Sequence, residues 1–183
     1  MNIFYLDKNP KTCAQYHVDK HCVKMILETA QILSTAHRVL DGTPIVQKSA
    51  SNRKQTVYKL SNPVSDTILY KATHINHPST VWARSSLANY LWATHLLLEL
   101  CKEYSLRYGR IHKCQETGLV DFLFGNIPNN IESKPFTEPN CAMPEEYIVK
   151  NDSLTSYRNY YRMGKKHLHN WTGRPVPEFI LGQ

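Results

Sequence analysis

The stretch from Pro10 to Leu40 constrains the fold more than any other, because it is the longest run of apolar residues at helical spacing and it carries its titratable residues on one stripe. Val18, Cys22, Met25, Thr29, Ile32, Leu33, Ala36 and Leu40 follow at three- and four-residue intervals, and Val23, Leu27 and Ala30 widen that surface. At 100° per residue, His17, His21, Lys24, Glu28, Gln31 and Thr35 fall within about 80° of arc beside it. The spacing predicts one helix, ended by Asp41-Gly42 and Pro44. A solvated helix face is usually a mixture of Glu, Lys, Gln and Arg, whereas this one offers two His, a Lys and a Glu that can meet in a cleft. The competing reading is a solvated stripe in which Lys24 and Glu28 form an ordinary i,i+4 pair.

A chain of 183 residues suffices for one well-buried core and does not require two, so a single domain over 1–183 is expected. Val81, Leu87, Leu91, Thr94, Leu98 and Cys101, broadened by Trp82, Tyr90, Trp92, Leu96, Leu97 and Leu100, predict a second long helix that opens after His74 to Pro78 and stops at Tyr108-Gly109. The polar, basic segment from Thr43 to Asn62 reads as an exposed connection around a short possible helix. Val64 to Thr73 offers one short helical piece, and Leu119 to Phe124 a short apolar turn or helix. Asn126 to Pro144, with four prolines, reads as an ordered loop, and Asp152-Ser153 as a helix cap. The expected class is all-α: a compact helical domain with two long helices, loop-rich connections and a basic aromatic C-terminal tail.

The formal net charge of +7 favours a polyanionic partner. Cys13, Cys22, Cys101, Cys114 and Cys141 are odd in number and lack C-x-x-C spacing, which suggests free thiols in a reducing compartment. The opening MNIFYLDKNP is no secretory signal, and the apolar-rich run from Leu87 to Cys101 is too short and too interrupted to span a bilayer. A monomeric cytoplasmic protein is expected, in the host cytoplasm if the chain is viral. Ile3 to Leu6 would pin the chain start against the core. Initiator removal generally needs a smaller second residue than Asn2, so the free α-amine is expected on Met1.

Two constellations carry chemistry. His17 and His21 have the i,i+4 spacing of metal ligands on a helix, although the Glu that follows the first His in zinc proteases is missing; two helical histidines that merely hydrogen-bond are the alternative. Tyr157, Tyr160, Tyr161, Lys165, Lys166, His167, His169, Trp171 and Arg174 interleave aromatic and basic residues. That pattern suits nucleic acid, because cations neutralise phosphates and aromatic rings stack on unpaired bases. Tyr157, Tyr161 and Trp171 serve equally well as anchors of a terminal helix.

The run HCVKMILETAQILSTAHRVLDG, from His21 to Gly42, resembles the helix of the pyrimidine-dimer DNA glycosylases of phage type (endonuclease V-like), a small all-helical family with many bacterial members. There a His stands seven residues before a catalytic Glu, the spacing of His21 and Glu28. Asn76-His77-Pro78 with Trp82, and the helix ending CKEYSLRYG, are similar to the corresponding segments of the bacterial members. YRNYYRMGK, from Tyr157 to Lys165, is similar to the tyrosine-rich C-terminal segment of the phage enzymes.

The resemblance implies a glycosylase and abasic-site lyase that uses no metal or other cofactor, with Met1, Glu28 and His21 as catalytic residues. The N-terminal amine would attack the sugar C1′, Glu28 would stabilise the sugar cation and move protons, and His21 would orient it or contact a phosphate. An α-amine titrates at about 8 and a lysine at about 10.4. At pH 7 roughly a tenth of the former is therefore a free nucleophile, against roughly a few in ten thousand of the latter. Leu27 and Gln31 stand where the phage enzymes carry arginines, so Arg38, Arg84 or the basic tail would supply the phosphate clamp; Asn2 stands where they carry a small residue.

The expected partner is double-stranded DNA bearing a damaged or modified base, which the protein would extrude from the stack. His17, Lys24, Gln31 and Arg38 from the first helix and Asn76, His77 and Arg84 from the second block are the DNA-binding candidates, with Tyr160, Tyr161, Lys165 and Lys166 from the tail. Two alternatives stay open: a metal-dependent nucleotide or nucleic-acid hydrolase using His17 and His21, with His77 as a candidate third ligand, and a non-catalytic DNA-binding protein on the same scaffold.

Overall fold

The computed structural model describes residues 1–49 and 51–182. Ala50, within the expected polar connection, and Gln183, the end of the expected domain, lie outside the described residues. The helical pattern after Pro10 is two helices, α1 (Pro10–Tyr16) and α2 (Asp19–Asp41). His17 and Val18 between them are extended, with ψ of 133° and 157°. The single helix expected there is corrected for a tertiary reason. Arg107 donates to the carbonyls of His17 and Gln15 at 2.7 and 3.0 Å, the Tyr161 hydroxyl accepts from the Val18 amide at 2.8 Å, and the Asn170 carbonyl accepts from the Asp19 amide at 2.9 Å. Partners outside the helix thus take the backbone groups that a continuous helix would pair internally.

An antiparallel hairpin follows, β1 (Thr43–Lys48) with β2 (Lys54–Lys59), in a register running from Thr43 opposite Lys59 to Lys48 opposite Lys54. This small sheet overturns the all-α class and the short helix expected before Asn62. The chain is mixed, though mostly helical. Thr43, Ile45, Val46, Thr56, Val57 and Tyr58 are the β-branched and aromatic residues that fit a pleated ribbon. Most of the ribbon faces solvent, so no alternation of apolar and polar residues marks it.

Next come α3 (Pro63–Ile68), α4 (Pro78–Arg84) and α5 (Leu87–Tyr108). The second long helix is therefore also divided, at Ser85-Ser86, because the Ser86 hydroxyl accepts from the Asn89 amide and starts α5 afresh. Gly109, at φ 66°, ends α5 in the left-handed conformation that glycine adopts without strain. Then follow α6 (Lys113–Glu116), α7 (Leu119–Gly125), the expected loop over 126–144, α8 (Ser153–Asn159), capped by Asp152, and α9 (Glu178–Leu181). A π-helical turn, Tyr160–Gly164, continues α8.

Helix α2 packs on α5 and α4, and α1 packs on α5. Ile3 to Leu6 are buried among them. Their exit is held by Arg158, which donates to the Leu6 carbonyl at 2.8 Å, and by the Trp92 indole, which donates to the Lys8 carbonyl at 2.8 Å. The tail is fastened by buried charge. Glu103 accepts from Arg107 and Arg174, while Asp19 accepts from Arg107, Asn170 and Thr172. Tyr157, Tyr161 and Trp171 are buried anchors of that tail. All five cysteines are free thiols, and among the described residues no helix is long and apolar enough to cross a membrane.

Candidate active site around Glu28

Glu28 sits midway along α2 with 12% of its side chain exposed. Its Oε2 accepts from the Asn2 amide at 2.9 Å and lies 3.9 Å from the Met1 nitrogen, while Oε1 lies 3.3 Å from Lys24 Nζ. Lys24 is largely exposed, whereas the Met1 side chain is buried and what exposure the residue keeps is on its main chain, beside the carboxylate. The chain start reaches this position through a local turn. The Asn2 side chain accepts from the amides of Ile3 and Phe4 at 2.7 and 3.2 Å and donates to the Ala142 carbonyl at 3.0 Å. Phe4 takes a left-handed φ of 47°, which a bulky residue keeps only when its surroundings impose it. Thr80 on α4 closes the far side, its hydroxyl 3.4 Å from the Met1 sulfur.

His21, two turns before Glu28, is oriented by the tail. Its Nδ1 lies 2.9 Å from the Tyr161 hydroxyl. That oxygen also accepts from the Val18 amide, and Nδ1 is the one acceptor in reach of its buried proton among the described residues; giving the proton to Nδ1 satisfies the phenol and leaves the ring hydrogen of His21 on Nε2. Burial first, then the neighbouring His17 and Lys165, push the imidazole down to about 3, so it is neutral at pH 7. Phe4 stacks on it at 4.4 Å between ring centroids, 17° from parallel. His77 caps α4 by accepting from the Ser79 amide through Nδ1 at 3.2 Å, and its pKa is lowered by desolvation and then by the nearby Met1 amine.

The basic tail converges on the same end of α2. Lys165 Nζ lies 4.7 Å over the Tyr160 ring, which is 6.2 Å from Phe4, and Lys166 is exposed. Gln31 is half-buried beside Glu28's turn, and Asn76 is exposed.

Four of the expected DNA contacts lie inside the protein or partly so. His17 and Tyr161 are fully buried. Arg38 is also buried and spends its guanidinium inside the protein, on the carbonyls of Tyr58, Asp66, Leu69 and Tyr70 and on the Asp66 carboxylate. Arg84 is half-buried and donates to the Ile75 carbonyl at 2.7 Å. The metal spacing fails as well, because His17 stands in the extended link and not on α2. Its Nδ1 is 2.7 Å from the Cys13 carbonyl, and its Nε2 is sealed without a partner. Among the described residues no three His, Cys, Asp or Glu side chains converge as a metal would require.

Asn2, Phe4, Thr80 and the orienting role of Tyr161 were not legible as site features. The one available signal was the apolar Ile3 to Leu6 segment, which had to be buried somewhere. A cavity of about 1230 Å³, mostly apolar and lined by Val23, Leu27, Ile68 and Tyr70 among others, shares Lys24 with the site. No family model, curated protein sequence or solved structure matches the chain.

Proposed function

We propose that this chain is a DNA glycosylase and abasic-site lyase in which the Met1 amine is the nucleophile and Glu28 the acid–base group. The observation that carries the reading is the 3.9 Å between the Met1 nitrogen and Glu28 Oε2, with the Asn2 amide holding the same oxygen at 2.9 Å. A nucleophile needs a base within reach and a fixed approach, and this pair supplies both. The neutral amine attacks C1′, and the base leaves with the C1′–N bonding pair and takes up a proton. Glu28 accepts the proton lost from nitrogen and returns one to the ring oxygen as the C1′–O4′ bond opens, giving the imine. Loss of a C2′ proton then expels the 3′ phosphate. The neutral Nε2–H of His21 is suited to donate to a phosphate or sugar oxygen, and Lys24, Lys165 and Lys166 to neutralise phosphates.

The substrate is double-stranded DNA with a damaged or modified base, and the protein works as a monomer in a reducing cytoplasm. The reading requires that Met1 be the first residue of the mature protein, which intact-mass measurement checks. Borohydride reduction in the presence of abasic-site duplex tests the chemistry. A covalent adduct mapping to the Met1 nitrogen is the expected result, and no adduct with wild-type protein removes the lyase assignment.

A further inference from the structure

We infer that the β1–β2 hairpin is a second duplex-DNA contact, a basic ribbon that grips the phosphate backbone away from Glu28. The segment from Gly42 to Ser65 contains Lys48, Arg53, Lys54 and Lys59 and no Asp or Glu. Lys59, at the root, lies near Asp66, but the other three gather at the tip. Lys48 and Lys54 face each other as the last rung of the ladder, with Arg53 beside them. Like charges placed directly opposite destabilise a strand pair. None of the three joins an ion pair among the described residues. A polyanion would relieve that repulsion.

The root is anchored on α2, beside the stripe that carries Glu28. Arg38, within about 80° of Glu28 around α2 and roughly 15 Å farther along it, donates to the Tyr58 carbonyl at 2.8 Å. Gly42 is packed so closely that a Cβ there would stand 2.4 Å from the Arg38 carbonyl and 3.2 Å from Tyr58 Cβ. From this root the six-residue strands extend about 20 Å, so neither span exceeds one turn of duplex, about 34 Å. A two-stranded ribbon fits the major groove of B-form DNA, whereas the deep, narrow major groove of an RNA helix excludes it.

The inference rests on the reading of the chain as a DNA-acting protein, and its test is separable from that reading. Binding of an undamaged 20-base-pair duplex is followed by fluorescence anisotropy across a salt series. Wild type is compared with K48A/R53A/K54A and with a charge-matched control, K102A/R110A/K150A. The ribbon variant is expected to weaken binding about tenfold or more at 0.1 M salt and to flatten the log Kd against log salt slope by roughly 2 to 3, one increment per lost phosphate contact, while the control changes less. Equal losses in both variants, or none in the ribbon variant, overturn the ribbon contact. So does unchanged duplex affinity combined with lost binding to phosphatidylserine vesicles. Failure of wild-type borohydride trapping alongside ribbon-dependent duplex binding overturns only the glycosylase reading.

Discussion

The Tyr161 hydroxyl is shared by His21 Nδ1 at 2.9 Å and the Val18 amide at 2.8 Å, so one phenol from the tail both orients the imidazole and caps the gap between α1 and α2. Tyr161→Phe removes the acceptor of a buried amide and the donor to a buried imidazole. The expected loss is about 1 to 3 kcal/mol, read as a lower urea midpoint. The His21 ring should also lose its fixed tautomer, visible in its imidazole nitrogen shifts.

Glu28→Gln keeps the side chain's shape and an acceptor for the Asn2 amide but removes the base. Strand cleavage at an abasic site should slow about a hundredfold or more while the thermal midpoint changes little. Cleavage at the wild-type rate in a single-turnover assay would show that the carboxylate does no proton transfer.

Arg38→Met should be the most destabilising single change outside the apolar core. Its guanidinium satisfies four carbonyls and the Asp66 carboxylate, and the replacement leaves them facing a thioether. About 1 to 3 kcal/mol or more is expected from leaving those carbonyls unsatisfied, with a smaller share from Asp66, whose side chain is 32% exposed. Hydrogen exchange should quicken first at the root of the hairpin, around Tyr58 and Leu60, because Leu60 donates to the same Asp66 at 3.0 Å.

Acid should unfold the protein through its histidines. Burial holds His17 and His37 down to about 4 and His21 to about 3. The unfolded chain binds these protons from its ordinary value of about 6.5 downward, so stability is intact above that pH. It falls as pH drops toward 4, by at most about 1.4 kcal/mol per pH unit for each histidine. His37→Gln, which keeps a polar group for Tyr90, should make the dependence of the unfolding midpoint on pH shallower across that window.

The body of α2, the α5 helix with its Gly109 stop and the Asp152 cap were legible because each is written in residues a turn or two apart. The break at His17-Val18 was not, since the groups that impose it, Arg107 and Tyr161, lie on other elements and the apolar periodicity runs straight through. The hairpin was not legible either, because a solvated ribbon lacks the alternation that marks half-buried strands. At the site, His21 and Glu28 were visible as a spacing on one helix. Asn2, Thr80 and Tyr161 were not, because their roles arise only where the chain's two ends meet, and Arg38 looked like a surface cation because nothing local marks it as an internal clamp.

The burial of Ile3 to Leu6 beneath α8 also sets an order on biosynthesis. Phe4 rests against Tyr157 and Tyr161, and the Leu6 carbonyl is held by Arg158. Ile3 to Leu6 therefore have no docking place until a residue 152 positions after Leu6 has been synthesised. Until then the nascent chain carries an unhoused apolar segment, and the turn that brings Met1 to Glu28 gains its full support only once α8 has docked.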